Sequence, residues 1–222
     1  MSAPRSSAYD GVVERTPDGG VIRFERRLAY PTRDVWDAIT NPERLADWWL
    51  PFDADITIDL REGGEVVFEG RGDEPVTMTF TILRVEAPML LEHTYADPGS
   101  YLRWELEPVD AGCVLRLSHF VTDIDAAIDS CYVVGLRTSL TRLEPCLAGA
   151  PVAWDWDDFA TSQSHYSDVG LAPPLSDSRW RRKEPGCRSC SESRTSACRA
   201  TASAPAKAKV SSTPSATPTR WT

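Results

Sequence analysis

His119 is the side chain of this 222-residue sequence best suited to chemistry. It falls on the same strand face as Leu115, Leu117 and Val121. An imidazole among apolar neighbours serves as a general base or as an orienting hydrogen-bond donor, or is a satisfied core residue. No Ser, Cys or Asp partner is identifiable for it, so no catalytic residue is assigned. His93 shares a face with Leu91 and Tyr95 and can approach His119. Neither histidine sits in an H-x-H or H-E-x-x-H spacing, so no metal site is expected. Arg26 has the strand parity of Ile22, Phe24 and Leu28. A charge on an inward face is costly unless paired; Arg26 meets a ligand carboxylate or carbonyl, pairs with an internal acid such as Glu69, Glu92 or Glu105, or escapes at the sheet end. Trp36, Trp48, Trp49 and Trp104 offer broad faces with a polar tip, suited to a flat ligand or to capping the core. Phe80 lies on an apolar strand face, and Tyr132 and Gly135 share a helix that can face the same space, Gly135 either leaving room for a ligand or allowing close approach of helix and sheet. The residues expected to contact a ligand are therefore Arg26, Trp36, Phe80 and His93, with Trp104, His119, Tyr132 and Gly135. Asp53 with Asp55, and Asp155 with Asp157 and Asp158, lack the calcium-loop pattern and read as solvated charge. No Walker loop, G-x-S-x-G elbow or dinucleotide fingerprint occurs, so no cofactor is expected.

These residues need elements to hold them. Ile22, Phe24 and Leu28 alternate with Arg23, Glu25 and Arg27, which is strand periodicity. Pro31-Thr32 ends that strand, and Thr32 is expected to cap a helix carrying Val35, Trp36 and Ile39. Asn41-Pro42 opens a second short helix, with Leu45, Trp48 and Trp49, stopped by Pro51. Strands are predicted over 54–60, 65–70, 76–82 and 89–95, then around Leu102–Leu106 and Leu115–Val121, joined by Gly- and Pro-bearing turns. Glu62-Gly63-Gly64 is such a turn, requiring positive φ or close approach. The period then changes. Ile128, Tyr132, Leu136, Leu140, Leu143 and Leu147 predict one amphipathic helix of about 20 residues. Asp123 and Asp125 suit its start, Pro145 should bend or end it early, and Gly149 should stop it. Trp154, Trp156 and Phe159 predict a short apolar segment packing back.

Apolar residues make up 41% of the chain and charged residues 26%, enough to build a core. The net charge of −9 hides a division. Residues 1–174 hold 14 Arg, no Lys and 30 acids, a net −16; residues 175–222 hold 10 Lys and Arg against 3 acids, a net +7. The acidic body argues against nucleic-acid or anionic-membrane binding. Residues 1–10 contain no apolar stretch of the signal-peptide kind, and a cytoplasmic protein is expected. Cys113, Cys131 and Cys146 then read as buried reduced thiols. Cys187, Cys190 and Cys198 form a C-x-x-C plus a third, without a second ligand pair for zinc. The expected organisation is a flexible lead over 1–19, a folded domain over 20–172, and a disordered basic tail over 173–222, rich in Ser, Thr, Ala and Pro.

The stretch from Phe24-Glu25-Arg26 to Tyr30-Pro31, then Asp34 to Leu45 and Trp48-Trp49, resembles the opening of START-like (SRPBCC) proteins. Within them it is similar to the branch related to the C-terminal domain of the activator of the 90-kDa heat-shock chaperone's ATPase. Asp59-Leu60-Arg61-Glu62-Gly63-Gly64, the strand from Gly112 to His119, and Gly135 with Leu140, Leu143 and Leu147 extend the likeness over about residues 20–170. It implies an α+β helix-grip fold: a curved antiparallel sheet wrapped around a long C-terminal helix, with two short helices after the first strand. It also implies a cavity for a small apolar ligand. The function expected is non-enzymatic binding of a small hydrophobic molecule between helix and sheet. The resemblance allows two alternatives. One is a co-chaperone or protein-interaction module with a chaperone or other protein as partner; the other is a polyketide cyclase or hydrolase-like enzyme using the same cavity.

Overall fold

The computed structural model describes residues 11–71 and 76–175, all within one unit of the chain. Strands β1 (Val12–Thr16) and β2 (Gly19–Leu28) form a hairpin. Gly19 makes that turn possible: its φ is +133°, and a Cβ there would lie 2.0 Å from the Val121 carbonyl oxygen. Helices α1 (Thr32–Thr40) and α2 (Pro42–Ala46) follow. Six strands complete the sheet: β3 (Ala54–Ile58), β4 (Glu65–Gly70), β5 (Thr77–Glu86), β6 (Leu90–Thr94), β7 (Tyr101–Val109) and β8 (Gly112–Val121). The eight strands run antiparallel in the order β1-β2-β8-β7-β6-β5-β4-β3. Helices α3 (Ile124–Asp129), α4 (Tyr132–Leu147) and α5 (Trp156–Asp168) close the described chain.

The period-2 pattern becomes the inner face. Ile22, Phe24, Leu28, Leu102, Trp104, Leu106, Leu115 and Leu117 are buried in one cluster with Val133, Leu136, Leu140 and Leu143 of α4. The fold is α+β and of the helix-grip kind, with α4 in the bend of the sheet. Helix α4 is buried on more than its apolar stripe, since Thr138, Ser139 and Arg142 are also buried. Helix α5 packs along it, and Arg137 of α4 reaches Asp158 and Ser162 of α5.

Several expectations need correcting. The lead over 1–19 contains β1, an edge strand whose residues are mostly exposed and so show no alternation. Thr32 is the first residue of α1 and makes no capping bond; Pro31 holds the cap position. Helix α2 ends at Ala46, so Trp48 and Trp49 lie in the connection after it. The single C-terminal helix of about 20 residues is two helices. Asp123 caps α3 by accepting from the amides of Asp125 and Ala126, and the chain breaks at Cys131, whose φ is 58°. The apolar spacing passes through this break in phase, which is why it is invisible in the pattern. Pro145 sits in the last turn of α4 without ending it. Gly149 supplies the stop: its amide and that of Ala150 bond to the carbonyls of Cys146 and Pro145, a Schellman closure. The short segment at Trp154–Phe159 leads into a 13-residue helix, which begins at Trp156. Asp155 is exposed, as expected of surface charge, and in addition caps this helix by accepting from the amides of Asp157 and Asp158.

Cys113, Cys131 and Cys146 are buried and not disulfide-bonded. The tail beyond Leu175, with Cys187, Cys190 and Cys198, lies outside the described residues. Among the described residues no helix is long and apolar enough to cross a membrane.

Candidate functional site: an aromatic cluster between sheet and helix

The strand register places the two histidines in one row. Ile22 pairs with His119, His119 with Leu102, Leu102 with His93, and His93 with Ile82. His93 and His119 are therefore two strand spacings apart with β7 between them, about 10 Å, on the inner face. Tyr95 bridges the gap, its ring centroid 6.3 Å from His93 and 5.1 Å from His119. Phe80 lies 5.9 Å from His93 and 5.3 Å from Tyr95. Trp104, in the next row, meets Trp49 at 5.1 Å, and Trp49 meets Tyr95 at 6.2 Å. Tyr132, at the start of α4, comes within 5.3 Å of His119 and 6.5 Å of Tyr95. Its hydroxyl donates to Asp97 of the exposed β6–β7 turn at 3.3 Å. Most of these rings meet edge to face, the arrangement their quadrupoles favour.

The two imidazoles differ in what they touch. His93 Nδ1 lies 2.9 Å from the Thr94 carbonyl, and Trp104 Nε1 donates to His93 Nε2 at 3.3 Å. A carbonyl only accepts and an indole N–H only donates. His93 is therefore the neutral tautomer with its proton on Nδ1. Burial pushes its pKa down to about 4. His119 has no exposed surface, yet among the described residues neither of its ring nitrogens has a hydrogen-bond partner. Burial, with a smaller contribution from His93, pushes its pKa down to about 3. Burial, then Asp97, pushes the Tyr132 phenol up to about 12. Burial raises Tyr95 as well. All four groups are uncharged at pH 7. An imidazole of such low basicity hydrogen-bonds rather than stores protons at neutral pH. The arrangement can grip and orient a molecule.

Gly135, one turn after Tyr132, is half-buried, and a Cβ built on it meets nothing within 4 Å. Further along α4, Ser139 Oγ lies 2.8 Å from the Trp49 carbonyl. Arg142 completes the hold on that segment. Its guanidinium donates to the carbonyls of Asp47 at 3.0 Å, Trp48 at 2.7 Å and Leu50 at 2.8 Å, and to Val152 at 2.9 Å. Four oriented carbonyl dipoles let this cation be buried, although burial still lowers its pKa. Trp48 is an anchor, its indole donating to the Ala38 carbonyl at 2.9 Å.

Of the expected contact residues, Phe80, His93, Trp104, His119, Tyr132 and Gly135 come together here. Arg26 does not. It pairs in register with Leu115, four residues along β2 from the His119 row, or about 13 Å. Its NH1 donates to the Glu25 carbonyl at 2.9 Å, and its guanidinium lies 5.6 Å from the Phe24 ring. Glu92, named as a possible partner for it, pairs with Arg103 instead. Trp36 packs half-buried against the core, and among the described residues its ring meets none of the aromatic cluster's rings. A hollow of about 290 Å3 lies elsewhere, lined by Arg23, Glu25, Glu105 and Arg116 on the outer, ion-paired face of the sheet. Among the described residues no group of three or more His, Cys, Asp or Glu could hold a metal ion.

Residues 29–148 match the model of the activator of Hsp90 ATPase homolog 1-like protein family. The chain belongs to this family. The family's stretch contains every ring of the cluster together with Gly135 and Arg142, and excludes Arg26, β1 and α5. Among solved structures the chain is similar to a protein of Bordetella parapertussis, with 27% identity over 75% of this chain and 94% of that one, at a TM-score of 0.55. It is also similar to CalU16 of Micromonospora echinospora, with 24% identity over 72% and 96% and a TM-score of 0.54. The AHSA1-like protein of Aeromonas hydrophila shares 20% identity over 59% and 93%, at a TM-score of 0.52. The last two likenesses support the fold alone. Comparison with curated proteins gives no match.

The family's characteristic stretch also contains what sequence reasoning missed. Tyr95 shares the parity of His93, a signal that could have selected it. Trp49 was visible as an aromatic but not as a wall of the site. Arg142 left no signal, because its partners are main-chain carbonyls about 90 residues away.

Proposed function

We propose that this chain binds a small hydrophobic molecule between α4 and the inner face of β5–β8. The observation that carries the reading is His119. A fully buried imidazole with both nitrogens unpartnered costs stability, because each lost its water and gained no replacement. A ligand atom beside it offsets that cost. The surrounding rings supply apolar area, worth about 25 cal/mol per Å2 before ordering costs. The half-buried Tyr95, Tyr132 and Gly135 form the side of the site nearest solvent.

Native mass spectrometry of the full chain, with a thermal-shift screen of lipids and aromatic compounds, tests this. A true ligand raises Tm in a concentration-dependent way, and His119→Phe or Tyr132→Trp reduces the rise. If no compound shifts Tm and the chain carries no co-purified molecule, the proposal fails.

A further inference from the structure

We infer that the ligand of this site is an uncharged aromatic molecule bearing one oxygen, a hydroxyl or a carbonyl, that hydrogen-bonds to His119. This rests on the binding proposal above and narrows it.

The oxygen follows from the contrast between the histidines. His93 is committed on both sides, to Thr94 and Trp104. Among the described residues no group fixes the tautomer of His119. A neutral imidazole in that state presents an N–H to a carbonyl or a lone pair to a hydroxyl, and moving its proton between the two nitrogens serves either. The absence of charge follows from the surroundings. The groups facing the site, His93, Tyr95, His119 and Tyr132, are neutral at pH 7. The inward cations are elsewhere: Arg26 lies several residues along β2, and Arg142 gives its N–H groups to four carbonyls. The acid at the rim, Asp97 beside Tyr132, disfavours an anion further. The aromatic character follows from ring-to-ring contacts between 5.1 and 6.5 Å in which edges meet faces. A flat ring continues that packing, whereas a flexible alkyl chain loses rotamer freedom to fit it.

The test is calorimetric titration of the full chain at pH 7.5 with naphthalene, 2-naphthol, 2-acetylnaphthalene, 2-naphthoate and 1-dodecanol. The naphthol and the ketone should each bind about tenfold tighter than naphthalene, the size of one hydrogen bond to a buried partner. They should outbind the ionised naphthoate and dodecanol by at least as much. His119→Phe should bring naphthol and naphthalene to equal affinity. In the wild type, the His119 ring nitrogens should shift with naphthol and not with naphthalene, a readout that stands even if the variant does not fold. Equal binding of naphthalene and naphthol, or preference for naphthoate, overturns the inference and leaves the binding proposal standing. Binding of dodecanol with none of the aromatics does the same. If none of the five binds and no molecule co-purifies, both fail together.

Discussion

His119 and His93 show how two identical side chains in one row acquire different properties from their neighbours. An unpartnered buried polar ring is a local cost. His119→Phe, similar in shape and free of polar atoms, should therefore stabilise the ligand-free protein, by about 1–3 kcal/mol, while weakening ligand binding. Chemical denaturation of the two proteins checks this, and a destabilised variant would mean the ring has a partner in the folded state. His93 carries a pH dependence. Its folded pKa, about 4, lies below the ordinary value of 6.5. Above pH 6.5 the imidazole is neutral folded or unfolded, and its whole contribution is present. Between 6.5 and 4 the unfolded chain takes up a proton that the folded one refuses, so stability falls with falling pH, by on the order of 3 kcal/mol in total. His119 acts in the same direction. Nuclear magnetic resonance titration should find His93 unprotonated, on its Nδ1–H tautomer, down to about pH 5; protonation near pH 6.5 would contradict the hydrogen-bond assignment. Strand parity alone placed both rings inward. Their different states were illegible, because partners such as Trp104 and the Thr94 carbonyl are set by register and backbone geometry.

The elements depend on contacts that sequence pattern does not carry. Helix α4 holds the Trp48–Trp49 connection through Arg142 and Ser139. Arg142→Met leaves four carbonyls short of their donor, the buried one of Trp48 and the partly buried ones of Asp47, Leu50 and Val152. It should cost on the order of 3 kcal/mol and alter the near-ultraviolet circular dichroism of the tryptophans. Arg142→Lys should recover little, since one ammonium cannot reach Asp47, Leu50 and Val152 together. Full recovery by lysine would assign the effect to charge alone. The Asp155 cap of α5 is a smaller contribution, and Asp155→Ala should cost about 1 kcal/mol by the same denaturation measurement. Most strands, both short helices and the α4 stripe were legible from periods of 2 and 3.6. The α3–α4 break was not, because the apolar positions on either side of Cys131 keep one phase. Strand β1 was not, because only Val13 of its five residues packs against the core, which leaves no alternation to read.

Across the whole molecule the central strands and the edge should differ in stability. β8 is flanked by β2 and β7, whereas β1 pairs with β2 alone. Amides of β7 and β8 should exchange hydrogen only through global unfolding, and those of β1 through local opening, in a native-state exchange experiment. Uniform protection across the sheet would show that the hairpin is held as firmly as the centre. The exposed ion pairs of the outer face, such as Arg116 with Glu25 and Glu107, contribute little to this ranking.

Gly135 has one further implication. Within a helix, glycine is worse than alanine by roughly 0.5–1 kcal/mol, and no neighbouring atom forbids the extra methyl. The fold thus forgoes an easy gain in rigidity at a half-buried α4 position, one turn from Tyr132, where a methyl would enter open space. Gly135→Ala should consequently make a sturdier protein and a poorer receptor, with a higher melting point when empty and slower, weaker uptake of any guest.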